Sequence, residues 1–388
     1  MSGTASRPPG WRHAVVVGGG YGGLLAAGVL ADHFSRVSVL EQDLLSADTD
    51  YRSGVPQARH PHGLLARGAG ILEELFPGLR AELAELGAPI FDLGESGRVM
   101  FPSGWAPRAA IGIPIQTFTR VTLERCIRRR VMAHPNVTIR SGVRVDGFCW
   151  DRDRSRVTGV RAHSRAPDPP GQAQEIDNQT IDADLVIDAS GRTSQLTAME
   201  LVEAGFPPAS ERVVAGDLSY SSRLYHIPPG TDTGWTMALE LTYAPTVRRG
   251  GSILTVEGRR WMVTLIGAGG ETTPTDEAGF LAYARSLRNP HIATSIAAAS
   301  PAGPLYRAVK LNNRWTLYHQ LRRWPERLLC LGDVVCALNP AYGQGMTLAA
   351  IQAQVLRDLL NRHRGGNLSG LARTFHRHAA RTLLLPWL

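Results

Sequence analysis

The chain has 388 residues, 43% of them hydrophobic, which is enough to bury one elaborated core or two. Its formal charge of +8 is carried almost entirely by arginines scattered along the chain, Lys310 being the sole lysine, so composition excludes a nucleic-acid partner as the first reading. The longest apolar runs, Leu24 to Ala31 and Ile292 to Ala299, are far too short for a bilayer span, and MSGTASRPPGWRH has no apolar signal segment; a cytoplasmic location is expected.

In chain order, the residues predict a strand over His13 to Val17, a glycine turn, and a helix from about Gly22 to Phe34. A second strand, Arg36 to Leu40, ends at Glu41 and completes a βαβ unit. The turn VVVGGGYGG places Gly18, Gly20 and Gly23 at GxGxxG spacing, with Gly22 beside them. Gly18 permits the tight turn, Gly20 lets backbone approach a pyrophosphate, and Gly23 lets helix and strand pack closely. Glu41, eighteen residues past Gly23, could accept hydrogen bonds from a ribose diol.

The loop YRSGVPQARHPHG (Tyr51 to Gly63) leads into an amphipathic helix ended by Pro77-Gly78. Its His60 and His62 form an HxH pair with no acidic or cysteine cluster at useful spacing, so no metal is expected. Arg120 to His134 predicts a helix, followed by strands near Val137 to Arg140 and Arg144 to Asp151. A hairpin with a loose tip at RAPDPPGQAQEIDNQ precedes a buried strand at Asp184 to Asp188. Between about Gly205 and Pro325 the strands TMALELTYA, GGSILTVEG and RWMVTLIGA alternate as in an antiparallel sheet, and TDEAGFLAYARSL predicts a helix. In GDLSYSSRLY, Asp217, Tyr220 and Arg223 either line a substrate site or are plain sheet contacts. Trp235, Tyr243 and Trp261 suggest an apolar pocket for a lipophilic small molecule.

A second glycine turn follows. LLCLGD is a buried strand ending in Asp333, whose carboxylate could grip the hydroxyls of a ribityl chain. NPAYGQGM then gives Gly343, Gly345 and Met346 at the start of a helix whose N-terminal N–H groups could face a flavin carbonyl. The first unit alone does not separate NAD from FAD; this later segment favours FAD. Cys126, Cys149, Cys330 and Cys336 lack metal or redox spacing, so neither disulfides nor zinc are expected.

The trio VVVGGGYGG with Glu41, DLVIDASGR and LGDVVCALNPAYGQGM resembles the class A FAD-dependent monooxygenases, over nearly the whole chain. RSGVPQARHPHGLLARGAGILEELFPG, SYSSRLYHIP and NPAYGQGMT further resemble flavin epoxidases of polyether biosynthesis and the related FAD-containing decalin-forming cyclases. The resemblance implies an α/β fold: a Rossmann-like FAD-binding domain of glutathione-reductase, para-hydroxybenzoate-hydroxylase-like type with an inserted antiparallel-sheet substrate domain. The FAD-binding parts are expected at 11–76, 110–204 and 326–388, and the substrate domain at 77–109 and 205–325.

Carried over residue by residue, it implies Gly18, Gly20, Gly22 and Gly23 at the pyrophosphate, Glu41 at the adenosine ribose and Arg120 along the phosphates. It implies Gln57 at the flavin edge, Asp333 at the ribityl chain, and Gly343, Gly345 and Met346 under the isoalloxazine. The implied reaction is insertion of one oxygen, through a flavin C4a-hydroperoxide, into a lipophilic polyketide or terpenoid of secondary metabolism, and no acid–base residue follows from it. The alternative is a [4+2] cyclase with structural FAD. Ser190-Gly191 stands where such hydroxylases usually have Asp-Gly, so NADPH or NADH is expected to act indirectly, through a separate flavin reductase. A halogenase would show a catalytic lysine in a WxWxIP-type context, and Lys310 sits in RAVKLNN.

Overall fold

A computed structural model describes residues 11–45, 51–164, 179–309, 311–340, 343–363 and 366–387. The hairpin tip expected at 165–178 and Lys310 lie outside the described residues.

The first layer is a five-stranded parallel sheet. Its strands are β1 (Trp11–Val17), β2 (Phe34–Glu41), β3 (Val137–Ser141), β4 (Leu185–Asp188) and β5 (Leu328–Cys330), in spatial order β5-β4-β1-β2-β3. β1 pairs in parallel with both β2 and β4, and β4 with β5, so the chain's last segment returns to within two strands of its first. The strands of this parallel sheet are covered on both faces, which is why AVVV, LVI and LLC are buried apolar runs.

One face carries α1 (Tyr21–Ala31), α2 (Arg120–Met132), α3 (Gly345–Arg362) and α4 (Leu371–Trp387). Leu24, Leu25, Leu123, Ile127, Ala353, Leu356 and Phe375 form their common core. α1 is buried nearly all round, so it shows no polar face; it ends at Ala31 rather than at the expected Phe34, which already belongs to β2. The other face is closed by a three-stranded antiparallel sheet, Val143–Trp150, Val157–Ser164 and Gln179–Asp182, through Phe148, Val157 and Val160. Leu79 and Leu83 of the helix Leu79–Glu85 pack into the α1 core, although that segment was expected with the substrate domain.

The second layer is an eight-stranded sheet built mainly from Ser219–His226, Arg260–Gly267, Arg249–Val256 and Met237–Glu240, extended by Gly97–Phe101. The pairings are antiparallel except Met237–Glu240 with Gly97–Phe101, which is parallel. The expected alternation is present in chemistry but not in exposure. Trp261, Val263 and Leu265 face the helices Glu277–Arg285 and Pro290–Ala297, while Thr264, Ser222 and Ser252 are buried on the opposite face. That opposite face is turned toward residues 57–64 and 114–119, and it is the side on which the site lies.

Candidate functional site

At the end of β1, Gly18 takes φ +98 and donates its N–H to the Leu40 carbonyl at 2.8 Å. A Cβ there would lie 2.5 Å from the Ala189 oxygen, so only glycine lets β1 meet the segment after β4. Gly20 caps α1, and an added Cβ would meet only Arg52 Nη2, at 3.8 Å. Gly22 lies against Leu331 and Gly332: a Cβ on it would sit 3.2 Å from Leu331 Cδ2 and 3.7 Å from Gly332 Cα. The two glycine turns, three hundred residues apart, touch each other there. Gly23 differs from its neighbours. A Cβ on it would fall 1.9 Å from the Gly18 oxygen, and it does not line the cavity, so it serves helix–strand packing and not, as the resemblance implied, the pyrophosphate.

Glu41 lines the cavity but is already engaged by the chain. Its Oε2 accepts the Gly19 N–H and pairs with Arg52 Nη1, both at 2.7 Å, and its Oε1 accepts the Asp43 N–H at 2.9 Å. The carboxylate therefore does not wait free for a ribose, although Oε1 keeps a lone pair for one more donor. Arg52 Nη2 also bonds Glu124 Oε2 at 2.7 Å, and Glu124 Oε1 accepts Arg120 Nε at 2.7 Å. Burial works against the Glu124 charge, but Arg120 and Arg52 override it and hold its pKa below the usual carboxylate range. Arg120 lies 4.7 Å over the ring of Tyr21, whose buried hydroxyl has no hydrogen-bond partner in the described protein. Sequence reading missed Arg52 and Glu124. Glu124 had a signal, the i,i+4 spacing from Arg120 on a helix; Arg52 had none.

The second turn opens where β5 ends. Gly332, at φ +80, donates its N–H to Gln352 Oε1 of α3 at 2.9 Å, which turns Asp333 into the cavity. Asp333 makes no hydrogen bond to another described residue. Burial pushes its carboxyl up, against the pull of Arg120, Arg192 and Arg314. α3 begins at Gly345 with no side-chain cap from Gln344, and a Cβ on Gly343 or Gly345 would meet nothing within 4 Å. The first N–H groups of α3 thus stay open toward the cavity. Met346 and Gln57, the latter on a short 3₁₀ turn over Pro56–Arg59, complete this end.

These segments enclose one cavity of about 1020 Å³. It is lined by Gly18, Gly20, Gly22, Glu41, Gln57, Arg120, Asp333, Gly343, Gly345 and Met346, so all the expected site residues but Gly23 converge on it. Ser190 lines it too, but both its N–H and its hydroxyl turn inward to Asp188 Oδ1, while the Thr197 hydroxyl takes Oδ2.

His60 Nδ1 bonds the Ser222 hydroxyl at 2.8 Å, and His62 Nδ1 donates to the His60 carbonyl at 2.9 Å. Burial, reinforced by Arg59, pulls His60 down to about 4, and burial with Arg120 pulls His62 down to about 3. Among the described residues no group of three or more His, Cys, Asp or Glu side chains could hold a metal. The four cysteines are free. Asp217, Tyr220 and Arg223 do not line the cavity: Tyr220 donates to Asn339 Oδ1 and Arg223 to the Gly303 carbonyl. Nor do the aromatics expected to form an apolar pocket. Trp235 and Trp261 stack at 6.1 Å inside the core behind the sheet, and Tyr243 is 68% exposed. Among the described residues no helix is long and apolar enough to cross a membrane.

No family model matches the chain. It is 33% identical to the Mycobacterium tuberculosis protein Rv3254 over 397 residues, covering 100% of the chain and 81% of that protein. Among solved structures it is similar to PqsL of Pseudomonas aeruginosa in complex with 2-aminobenzoylacetate, with TM-score 0.69 and 17% identity over 95% of this chain and 92% of that one. PqsL is described as a probable FAD-dependent monooxygenase. The chain is likewise similar to the myxobacterial FAD-dependent halogenase CndH, with TM-score 0.67 and 19% identity over 97% of this chain and 80% of that one. The fold is therefore the para-hydroxybenzoate-hydroxylase-like one of these flavoenzyme structures.

Proposed function

The chain belongs to the family of the Mycobacterium tuberculosis protein Rv3254, and from that premise and its fold we propose that it is an FAD-dependent monooxygenase acting on a lipophilic small molecule. The observation that carries this reading is the contact of the two glycine turns at Gly22 and Gly332, above one cavity that Asp333 faces without a partner. The residues fit a dinucleotide. Gly20 leaves space at the N-terminus of α1, Arg120 stands beside it, and Glu41 keeps one acceptor site. A half-buried carboxylate at Asp333, without a hydrogen bond to another described residue, suits the hydroxyls of a ribityl chain, and the open start of α3 at Gly343 to Met346 suits the flavin's carbonyl edge.

Bound FAD, once reduced, supplies the activation of O₂ that no side chain offers. The chain's own residues bind and orient, and the strand Tyr306–Val309 of the eight-stranded sheet lines one side of the cavity. Ser190 spends its hydrogen bonds on Asp188, which supports electron delivery through a separate flavin reductase and not through a docked NADPH. Similarity to halogenase structures adds no second reading, since the chain lacks the lysine context that chemistry uses.

Heat-denatured protein is expected to release FAD and no FMN. Asp333→Ala should weaken FAD binding by about tenfold or more, the loss of hydrogen bonds to a charged group. A colourless protein that takes up no added FAD, or one that releases FMN alone, ends this reading.

A further inference from the structure

We propose that Arg59 and His60 form an anion subsite that takes a carboxylate of the substrate; the identification of that anion as substrate rests on the oxygenase reading above. Arg59 closes the 3₁₀ turn Pro56–Arg59, and its guanidinium lies 4.6 Å over the ring of Tyr306, which fixes its plane. Its Nε is buried without a partner, and it makes no hydrogen bond or ion pair with another described residue. Tyr306 pairs with Ser222 across the antiparallel ladder, so the two side chains share one face of the sheet. His60 uses that same face: Nδ1 meets the Ser222 hydroxyl, which is backed by Thr264 Oγ1 at 2.5 Å, and the ring stands edge-on to Tyr220 at 6.2 Å. Ser222 thereby fixes the ring and leaves Nε2 as the nitrogen that the cavity can reach. Arg307 also lines the cavity, but it pairs with Ser221, whose hydroxyl bonds the Pro274 carbonyl, so it alternates to the face opposite Tyr306 and is not part of the subsite.

Arg59, His60 and Tyr306 all line the cavity, and Arg59 forms no ion pair with any of the cavity's carboxylates among the described residues. Glu41 is tied to Gly19, Asp43 and Arg52; Asp333 stands among Arg120, Arg192 and Arg314; Glu200 pairs with Arg161 and Asp146 with Arg144; Glu203 also lines the cavity but is exposed to solvent. Burial and the Arg59 charge keep His60 neutral at neutral pH, so the positive charge of this corner is that of Arg59 alone. Arg59 is half-buried, and its buried Nε, which has no partner in the protein, gains one when an anion reaches the guanidinium. Its planar fork matches a carboxylate in a bidentate pair, and the imidazole supplies one further hydrogen bond.

The test is calorimetric titration of the purified protein with octanoate and with its neutral isostere octanamide. Wild type should bind octanoate more tightly. In Arg59→Gln the octanoate affinity should fall by about tenfold or more while octanamide is unchanged, and Arg59→Lys, which keeps the charge but loses the fork, should recover part of it. Equal binding of the two probes by wild type, or unchanged octanoate binding by Arg59→Gln, overturns the proposal. So does a variant that loses FAD but keeps octanoate, since the guanidinium would then serve a cofactor phosphate. Octanoate binding that depends on Arg59 in a protein without flavin would remove the cofactor reading and leave the subsite standing.

Discussion

Glycines that look equivalent in GGGYGG have different work, and the distances to their neighbours separate them. Gly20 has φ −76, within reach of any residue, and its missing Cβ faces open space. Gly20→Ala should therefore fold with a stability within about 0.5 kcal/mol of wild type, since nothing is displaced. It should nevertheless bind FAD about tenfold more weakly or worse, because the methyl occupies the space that backbone leaves for a pyrophosphate. Gly23→Ala should behave in the opposite order. Its Cβ would collide with the Gly18 carbonyl at 1.9 Å, and forcing α1 away from β1 should cost at least about 2 kcal/mol, read as a lowered urea midpoint of the apoprotein. Equal stability of the two variants would show that helix and strand are not in register-tight contact. Spacing in the sequence located all four glycines but could not assign them, because the atom each one avoids belongs to another part of the chain.

The elements most legible in the sequence were those whose periodicity is set by a single environment. β1, α1 and β2 lie in the sheet and its helical cover, and α2 shows Leu123, Ile127 and Val131 on one buried side. The helix Leu196–Glu203 has no apolar stripe in the sequence, because only Thr197, Glu200 and Leu201 are buried along it. The parallel pairing of Gly97–Phe101 with Met237–Glu240 was invisible for a different reason: it joins segments more than a hundred residues apart, and nothing in either strand encodes its partner. A similar long-range tie anchors α2. Thr119 caps that helix, and Glu257, from the turn between Arg249–Val256 and Arg260–Gly267, accepts from the Thr119 N–H at 3.0 Å and from the hydroxyls of Thr119 and Thr122 at 2.5 and 2.7 Å. The second sheet thus holds the end of the helix that presents Arg120. Glu257→Ala should lower stability by about 2–3 kcal/mol, because charged hydrogen bonds are lost and buried donors are left without partners. Combined with Thr119→Ala the losses should be markedly less than additive, since both substitutions remove the same bonds. Strict additivity in urea titrations would mean that the sheet and α2 are energetically independent.

At the scale of the molecule, one cavity is assembled from the ends of β1, β2, β4 and β5, the 51–63 loop and the start of α3, and only the segments with a backbone signature announced themselves in sequence. Arg52 is the counterexample, a residue whose role exists only once Glu41 and Glu124 have been brought to either side of it. The same burial governs the response to acid. His60, His62 and His376 are pulled down to about 4, 3 and 3, in each case mainly by burial. Their folded pKa values lie below the unfolded value of 6.5, so between the two the unfolded chain binds more protons. The stability they contribute is complete above about pH 6.5 and is lost as pH falls toward the folded values. Asp333 and Asp188, raised by burial, act with the opposite sign, and stability from them falls as pH rises. The three histidines act in one direction, so their joint contribution to stability should decline from pH 6.5 to 4. His376 isolates the effect away from the cavity. Its ring packs 4.3 Å from that of Trp324 and beside Tyr318, and its Nε2 has no partner. His376→Phe keeps an aromatic ring in that space and removes the proton. On the order of 3 kcal/mol of the decline over that interval is attributable to this histidine at most, so the variant's urea midpoint should depend visibly less on pH than that of wild type. Parallel curves for the two proteins would show that His376 reaches its proton without unfolding, through local opening of α4.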